Sequence, residues 1–301
     1  MNWFSRLPAH SRGVIYLLIS VTAFAVMDMT AKLLGERVSL SQVLWARYAG
    51  QLLVLVLIFA PRLSRALRTD HPWLQMLRAI MLLGATAFFF GALQHLGLAE
   101  VIAIAELQPM LITLGAALFL KEKVGPRRGL GVAFGLLGAL IIIRPGSDVF
   151  TPASLMPLAA AACVATYALA TRHIGLKESP ITGLLYSALF CTALMSIIVP
   201  FTWVRPDAIS VGLMLAIGCL GTLAQLTLIR AYSVTEASAI APVSHLGLLV
   251  AVALGYVVFD SLPDLWTVLG GLVIVAAALY VWHRERKTGT AVTVPEEMGQ
   301  P

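Results

Sequence analysis

Stretches of about 18 to 22 mostly apolar residues recur along the whole chain, each long enough to cross about 30 Å of hydrocarbon at 1.5 Å per residue. A hydrophobic surplus arranged this way does not fold into one soluble core; it demands a lipid solvent. Composition agrees: 59% of the 301 residues are hydrophobic and only 12% charged, about half the charged fraction of an ordinary soluble domain. The runs predict ten spanning helices, over 13–34, 40–60, 74–95, 98–119, 127–144, 152–172, 180–200, 208–231, 236–258 and 264–283. Prolines punctuate the breaks, among them Pro61, Pro72, Pro126, Pro145, Pro180 and Pro263, because proline ends or kinks a helix. The basic opening before Gly13 has the charge of a signal peptide. The run behind it is too long for a signal core and lacks a small-residue cleavage site, so it is read as the first span.

Basic residues orient the bundle. With the N-terminus cytoplasmic, the inner loops carry Arg62, Arg65, Arg68, Lys121, Lys123, Lys177 and others, fifteen Lys and Arg in all, against Arg37, Arg144 and Arg205 outside. That bias places both termini in the cytoplasm and the chain in the cell's inner membrane as a multi-pass protein. It also accounts for the net charge of +6, so no nucleic-acid partner is implied: no basic stripe is interleaved with exposed aromatics. Cys163, Cys191 and Cys219 all fall inside spans, an odd set without metal-ligand spacing, and are read as packing residues with no disulfide or metal role.

The chain repeats itself. "LAEVIAIAELQPM" from Leu98 matches "VTEASAIAPVSHL" from Val234, and Leu120 and Gly131 fall opposite Phe259 and Gly270. Lys32 falls opposite Arg172, so the offset stays near 136 to 140 residues throughout. Two tandem units of five spans must lie in opposite orientations, because five is odd. The expected fold is an all-α integral membrane protein of two inverted five-helix repeats. That architecture puts a substrate site between the halves near the bilayer midplane, as in many secondary transporters. The expected organisation is a cytoplasmic N-terminus over 1–12, repeats over 13–146 and 147–283, and a polar, disordered tail over 284–301.

Three segments carry a family resemblance: "FAVMDMTAKLL" with "SQVLWARY", "LGLAEVIAIAELQPMLITLGAALFLKEKV", and the run from "APVSHLGLLV" to "WHRER". On these the chain resembles the EamA-type transporters of the drug/metabolite transporter superfamily, over nearly its whole length. The resemblance implies a small-metabolite carrier. The "MDMTAK" and "PDLWT" regions are similar to members moving S-adenosylmethionine, flavins or amino acids. The family's Phe-Gly-Glu before the last proline is here Phe259-Asp260-Ser261, so the glutamate matched by Glu122 in the first half has no counterpart in the second.

Charged residues inside spans cost roughly 2.5–3.5 kcal/mol each on insertion scales and so mark candidate sites. Asp28 and Lys32 lie one turn apart in the first span, able to pair, and Arg47 enters the second span from the same outer side. Two readings stand: a polar outer vestibule, or a helix-packing clamp with Lys32 reaching outward. Glu106 and His245 occupy corresponding places in the fourth and ninth spans, beside Pro109 and Pro242. A carboxylate with no cation within a turn, facing an imidazole that titrates near neutrality, suits proton coupling or substrate recognition. A packing histidine is the alternative, and an alternative offset would pair Glu106 with Pro242. Gln108, Tyr167 and Gln225 complete the candidate substrate-binding set, with Trp45, Tyr48 and Tyr186 as candidate stacking or interfacial aromatics. Arg78 and Arg230 are expected to snorkel or to meet Glu236 at an inner gate.

No catalytic constellation is present: no HExxH, no GxSxG and no glycine-rich phosphate cradle. Ser244 and His245 are neighbours in sequence, about 100° apart around a helix, and do not form a nucleophile–base pair. An embedded enzyme or receptor is the alternative reading. The preferred one is a secondary transporter, without cofactor, moving a small organic metabolite by alternating access with proton coupling or exchange, and complete as a monomer.

Overall fold

The computed structural model describes residues 7–63, 67–119, 125–147, 150–174 and 178–288, without the side chains at 62, 126–128, 172–174, 237, 238, 241 and 284–288. Arg65, Lys121, Glu122, Lys123, Lys177 and the tail beyond 288 lie outside the described residues. Among the described residues twelve α-helices occur in this order: α1 (Ala9–Gly35), α2 (Leu40–Phe59), α3 (Pro72–Leu93), α4 (Leu98–Ala105), α5 (Gln108–Phe119), α6 (Pro126–Ile143), α7 (Met156–Ile174), α8 (Pro180–Ile198), α9 (Ala208–Val234), α10 (Ala237–Ser244), α11 (Leu246–Phe259) and α12 (Leu265–Thr288). Among the described residues nine stretches are long and apolar enough to cross a membrane, and Gly129–Ile143 is a shorter apolar helix. Large apolar side chains face outward, such as Leu57 at 70% and Val257 at 78% exposure, the burial pattern of a protein whose solvent is lipid.

The fourth and ninth spans are each two helices, broken beside the prolines. Pro109 has no N–H to give the carbonyl of Ala105 and its ring crowds that oxygen, so α4 ends at Ala105 and α5 starts afresh at Gln108. In the second half Pro242 leaves the carbonyl of Ser238 without its helical donor, and Gly247 follows the break at His245. Other boundaries also move. α1 begins at Ala9, behind Pro8, four residues before the expected start at Gly13. α12 runs to Thr288, into the segment expected as tail, because its Arg, Glu and Lys residues are good helix formers.

Successive helices run up and down, and among the described residues the bonds between loops and helix ends group by face. On the first face Arg37 bridges Asp207 at 3.1 Å, Gln42 Nε2 donates to the Val204 carbonyl at 2.8 Å, and Arg144 bridges Asp264 at 2.6 Å. On the second face Thr69 bonds Glu178 and Tyr186 donates to the Leu67 carbonyl at 3.0 Å. Helix packing has an exchange symmetry between the halves. α1 packs on α9 as α3 packs on α7, α2 on α9 as α8 on α3, and α1 on α11 as α7 on α5; α6 with α12 and α2 with α8 are self-related pairs.

Small residues set the close crossings. A Cβ on Gly138 of α6 would sit 2.7 Å from Ile274 and 2.8 Å from the Gly270 carbonyl of α12, so the absent side chain is what lets these helices meet. A Cβ on Gly50 of α2 would lie 2.8 Å from the Gly218 Cα of α9. That second backbone contact joins the halves, and a small residue lies one turn away on each helix, Ala46 before Gly50 and Thr222 after Gly218.

Candidate functional site

Glu106 and His245 meet. Glu106 follows the last residue of α4, His245 stands between α10 and α11, and the His245 Nδ1 to Glu106 Oε2 distance is 2.6 Å. The side chains are 18% and 13% exposed respectively. α4 starts at the first face and α10 at the second, and each candidate lies eight residues in, about 12 Å at 1.5 Å per residue. The contact is therefore near the middle of a hydrocarbon layer about 30 Å thick. A break in each half exposes backbone ends around one polar pair, which is where irregular backbone is tolerated at membrane depth: buried in protein or lining a cavity.

Asp28 and Lys32 do not form the ion pair that their spacing permits. Lys32 Nζ turns to the end of α3 and donates to the carbonyls of Leu93 and Leu96, both at 2.6 Å, with the Phe259 ring centroid 5.5 Å away. The Leu93 carbonyl is part of the unsatisfied, negatively polarised end of α3 and the Leu96 carbonyl belongs to the turn behind it, together a better partner for a flexible ammonium than a carboxylate on its own helix. Lys32 is thus a clamp between α1 and α3. Asp28 is 8% exposed and makes no hydrogen bond or ion pair among the described residues. The charge that acts on it is Arg47.

Arg47 is 6% exposed and also lacks a carboxylate partner among the described residues. Its Nη1 donates to Thr86 Oγ1 at 2.7 Å, its Nε is buried with no acceptor, and its guanidinium lies 5.2 Å from the Tyr48 centroid and 5.3 Å from that of Phe90. Thr86 Oγ1 in turn donates to the Leu82 carbonyl at 2.8 Å, and Tyr48 OH lies 2.8 Å from the same Oγ1. Sequence reasoning gives Thr86 no weight, because a lone threonine in an apolar run ordinarily bonds its own helix; it does that here and serves Arg47 as well.

The remaining candidates separate. Tyr167 accepts from Arg78 Nη2 at 2.9 Å and its ring lies 4.9 Å from that guanidinium. Arg78 is 6% exposed rather than snorkelling, and its Nη1 donates to Gln75 Oε1 at 2.9 Å. Gln75 then bonds Glu178, so a polar chain runs from Tyr167 to the second-face loops. Gln75 and Glu178 carry no sequence signal beyond polarity. Arg230 is exposed. Gln108 and Gln225 are half-buried without a side-chain hydrogen bond among the described residues. Trp45 donates to Ser196 at 2.9 Å and meets Trp203 edge-on, 6.1 Å between centroids, near the first face. No cluster of metal-ligating side chains occurs among the described residues.

A family model described as the EamA-like transporter family matches residues 11–144 and again 151–282. An S-adenosylmethionine uptake transporter of Rickettsia prowazekii is 27% identical over 94% of this chain and 96% of its own length. A riboflavin transporter of Brucella anthropi is 29% identical over 90% of this chain and 99% of its own. A solved crystal structure with 20% identity shares the fold at a TM-score of 0.62, covering 93% of this chain and 98% of the other.

Proposed function

The chain belongs to the EamA-like transporter family, and from that premise we propose that it carries a small organic metabolite of the S-adenosylmethionine or flavin kind by alternating access. The observation that carries the mechanism is the 2.6 Å contact between Glu106 and His245. It joins the two broken helices, one from each half, at mid-depth. Rocking one half against the other has to make and break that contact. A protonated His245 binds the carboxylate with a charge-assisted bond, and a neutral one binds it less well. Protonation therefore biases the equilibrium between the two openings, which is the requirement for coupling transport to a proton gradient.

The inner membrane, with both termini cytoplasmic, is the setting that the distribution of Lys and Arg supports. One chain holds both repeats and both partners of the central contact, so a monomer suffices for a cycle. The candidate residues facing the seam are Asp28, Arg47, Glu106 and His245. Tyr167, Gln108 and Gln225 are secondary. Lys32 is assigned a clamping role.

The test is uptake of radiolabelled S-adenosylmethionine and riboflavin into proteoliposomes between about pH 5.5 and 8, across the ordinary histidine range. Glu106→Gln keeps the shape and removes the charge. Replacing a charge-assisted bond by a neutral one costs about 1–1.5 kcal/mol, or roughly tenfold in any equilibrium that makes the contact. The expected result is uptake of one substrate, with a pH dependence that flattens in Glu106→Gln and His245→Ala. Unchanged rates and pH profiles in both correctly inserted variants would overturn the mechanism.

A further inference from the structure

We infer that Asp28 and Arg47 form the subsite for an α-amino-acid head group, which selects an S-adenosylmethionine-like substrate over a flavin; this rests on the transporter reading above. Depth brings the residues to one level. Asp28 lies seven residues before the end of α1, Arg47 seven after the start of α2, and Thr86 seven before the end of α3. All three are thus about 10 Å below the first face. The helix that faces them belongs to the other half. A Cβ on Gly221 of α9 would lie 3.1 Å from the Met27 sulfur and 4.0 Å from Arg47 Nε, so these groups stand at the seam between the repeats, where glycine leaves room.

The electrostatics of the pair is unfinished. A buried guanidinium with a neutral threonine as its hydrogen-bond acceptor and an unmatched Nε, beside a buried carboxylate with no hydrogen bond among the described residues, leaves two opposite charges without mates. Buried charges left in this state are costly, and they do not collapse onto each other: no ion pair within 4.0 Å joins them. An α-amino acid carries an ammonium and a carboxylate one carbon apart, so the head group completes both at once. Its carboxylate takes the unmatched Nε of Arg47 and its ammonium takes Asp28. A flavin ring with a neutral polyol chain supplies neither charge.

The experiment is equilibrium binding to the full chain in lipid nanodiscs with four probes. S-adenosylmethionine has the head, the nucleoside and a sulfonium cation; methylthioadenosine has the nucleoside without head or sulfonium; methionine has the head alone; riboflavin has neither head-group charge. S-adenosylmethionine is expected to bind at least about 100-fold tighter than methylthioadenosine, the discrimination expected when a site's buried polar groups are left unpaired. Asp28→Asn and Arg47→Gln should each erase most of that ratio while leaving methylthioadenosine binding as it was. The comparison among probes in the wild-type chain needs no variant to fold. Methylthioadenosine binding as tightly as S-adenosylmethionine, or riboflavin binding tightest, overturns the subsite and leaves the transporter reading intact. No binding of any probe, together with no uptake of S-adenosylmethionine or riboflavin, overturns both.

Discussion

Lys32→Met is the perturbation that best separates the two meanings of the charged pair in the first span. Methionine keeps the stem in place and removes the ammonium that holds the carbonyls of Leu93 and Leu96. Each charge-assisted bond contributes about 1.5–3 kcal/mol, giving roughly 3–6 for two. The carbonyls lie at a helix end beside a loop, where water recovers part of the loss, and a net destabilisation of about 2–3 kcal/mol remains. With an unfolding entropy near 2.1 cal/mol/K per residue, the 301-residue chain has about 0.6 kcal/mol/K in total. The melting temperature should therefore fall by about 4 °C in a detergent thermal-shift assay. Adding Asp28→Asn closes a double-mutant cycle. Because Lys32 bonds backbone and not Asp28, the coupling energy should stay within about 0.5 kcal/mol, as for independent sites. A coupling above about 1 kcal/mol, or a melting temperature unmoved by Lys32→Met alone, would refute the clamp and restore the ion pair.

Other expectations follow from single contacts. Gly50→Leu forces the α2–α9 crossing apart and should cost at least about 1–3 kcal/mol in thermal stability, whereas Gly212→Ala, where an added Cβ meets nothing within 4 Å, should be neutral or slightly stabilising. Glu178 lies in a second-face loop; slight burial raises its carboxyl, but hydrogen bonds from Thr69, Gln75 and the backbone of Asp70 and His71 outweigh this and hold it below the usual carboxylate range. Its contribution is therefore present in full above the ordinary glutamate pKa and lost as pH falls through the lowered one. Thermal melts taken down this acid range should show Glu178→Gln losing less stability than the wild type, and parallel curves would count against the latch. Arg78→Lys, which cannot span Gln75 and Tyr167 with one planar fork, should loosen the α3–α7 contact and lower the melting temperature, a result read in the same assay.

The periodic features were legible in the sequence because the bilayer imposes them locally. Span length, ten crossings and the five-plus-five repeat each follow from residues counted along the chain, since lipid requires every spanning segment to satisfy its own backbone. One of the two repeat offsets sets Glu106 opposite His245, the other opposite Pro242; an inverted repeat carries equivalent positions to one seam, and the contact agrees with the first. Only tertiary structure could decide where the long polar side chains go. Lys32 had Asp28 one turn away and took the end of α3; Arg78 stood near a helix end and turned inward to Tyr167; Arg47 found Thr86, a residue of α3 that sequence does not single out. Such choices are made among partners distant in sequence, at energies of a few kcal/mol set by which helix end or hydroxyl happens to face the tip of a flexible chain. Asp28 and Arg47 are the clearest case: sequence makes both charged and intramembrane, but only the packing of α1, α2 and α9 leaves each without a salt-bridge partner among the described residues.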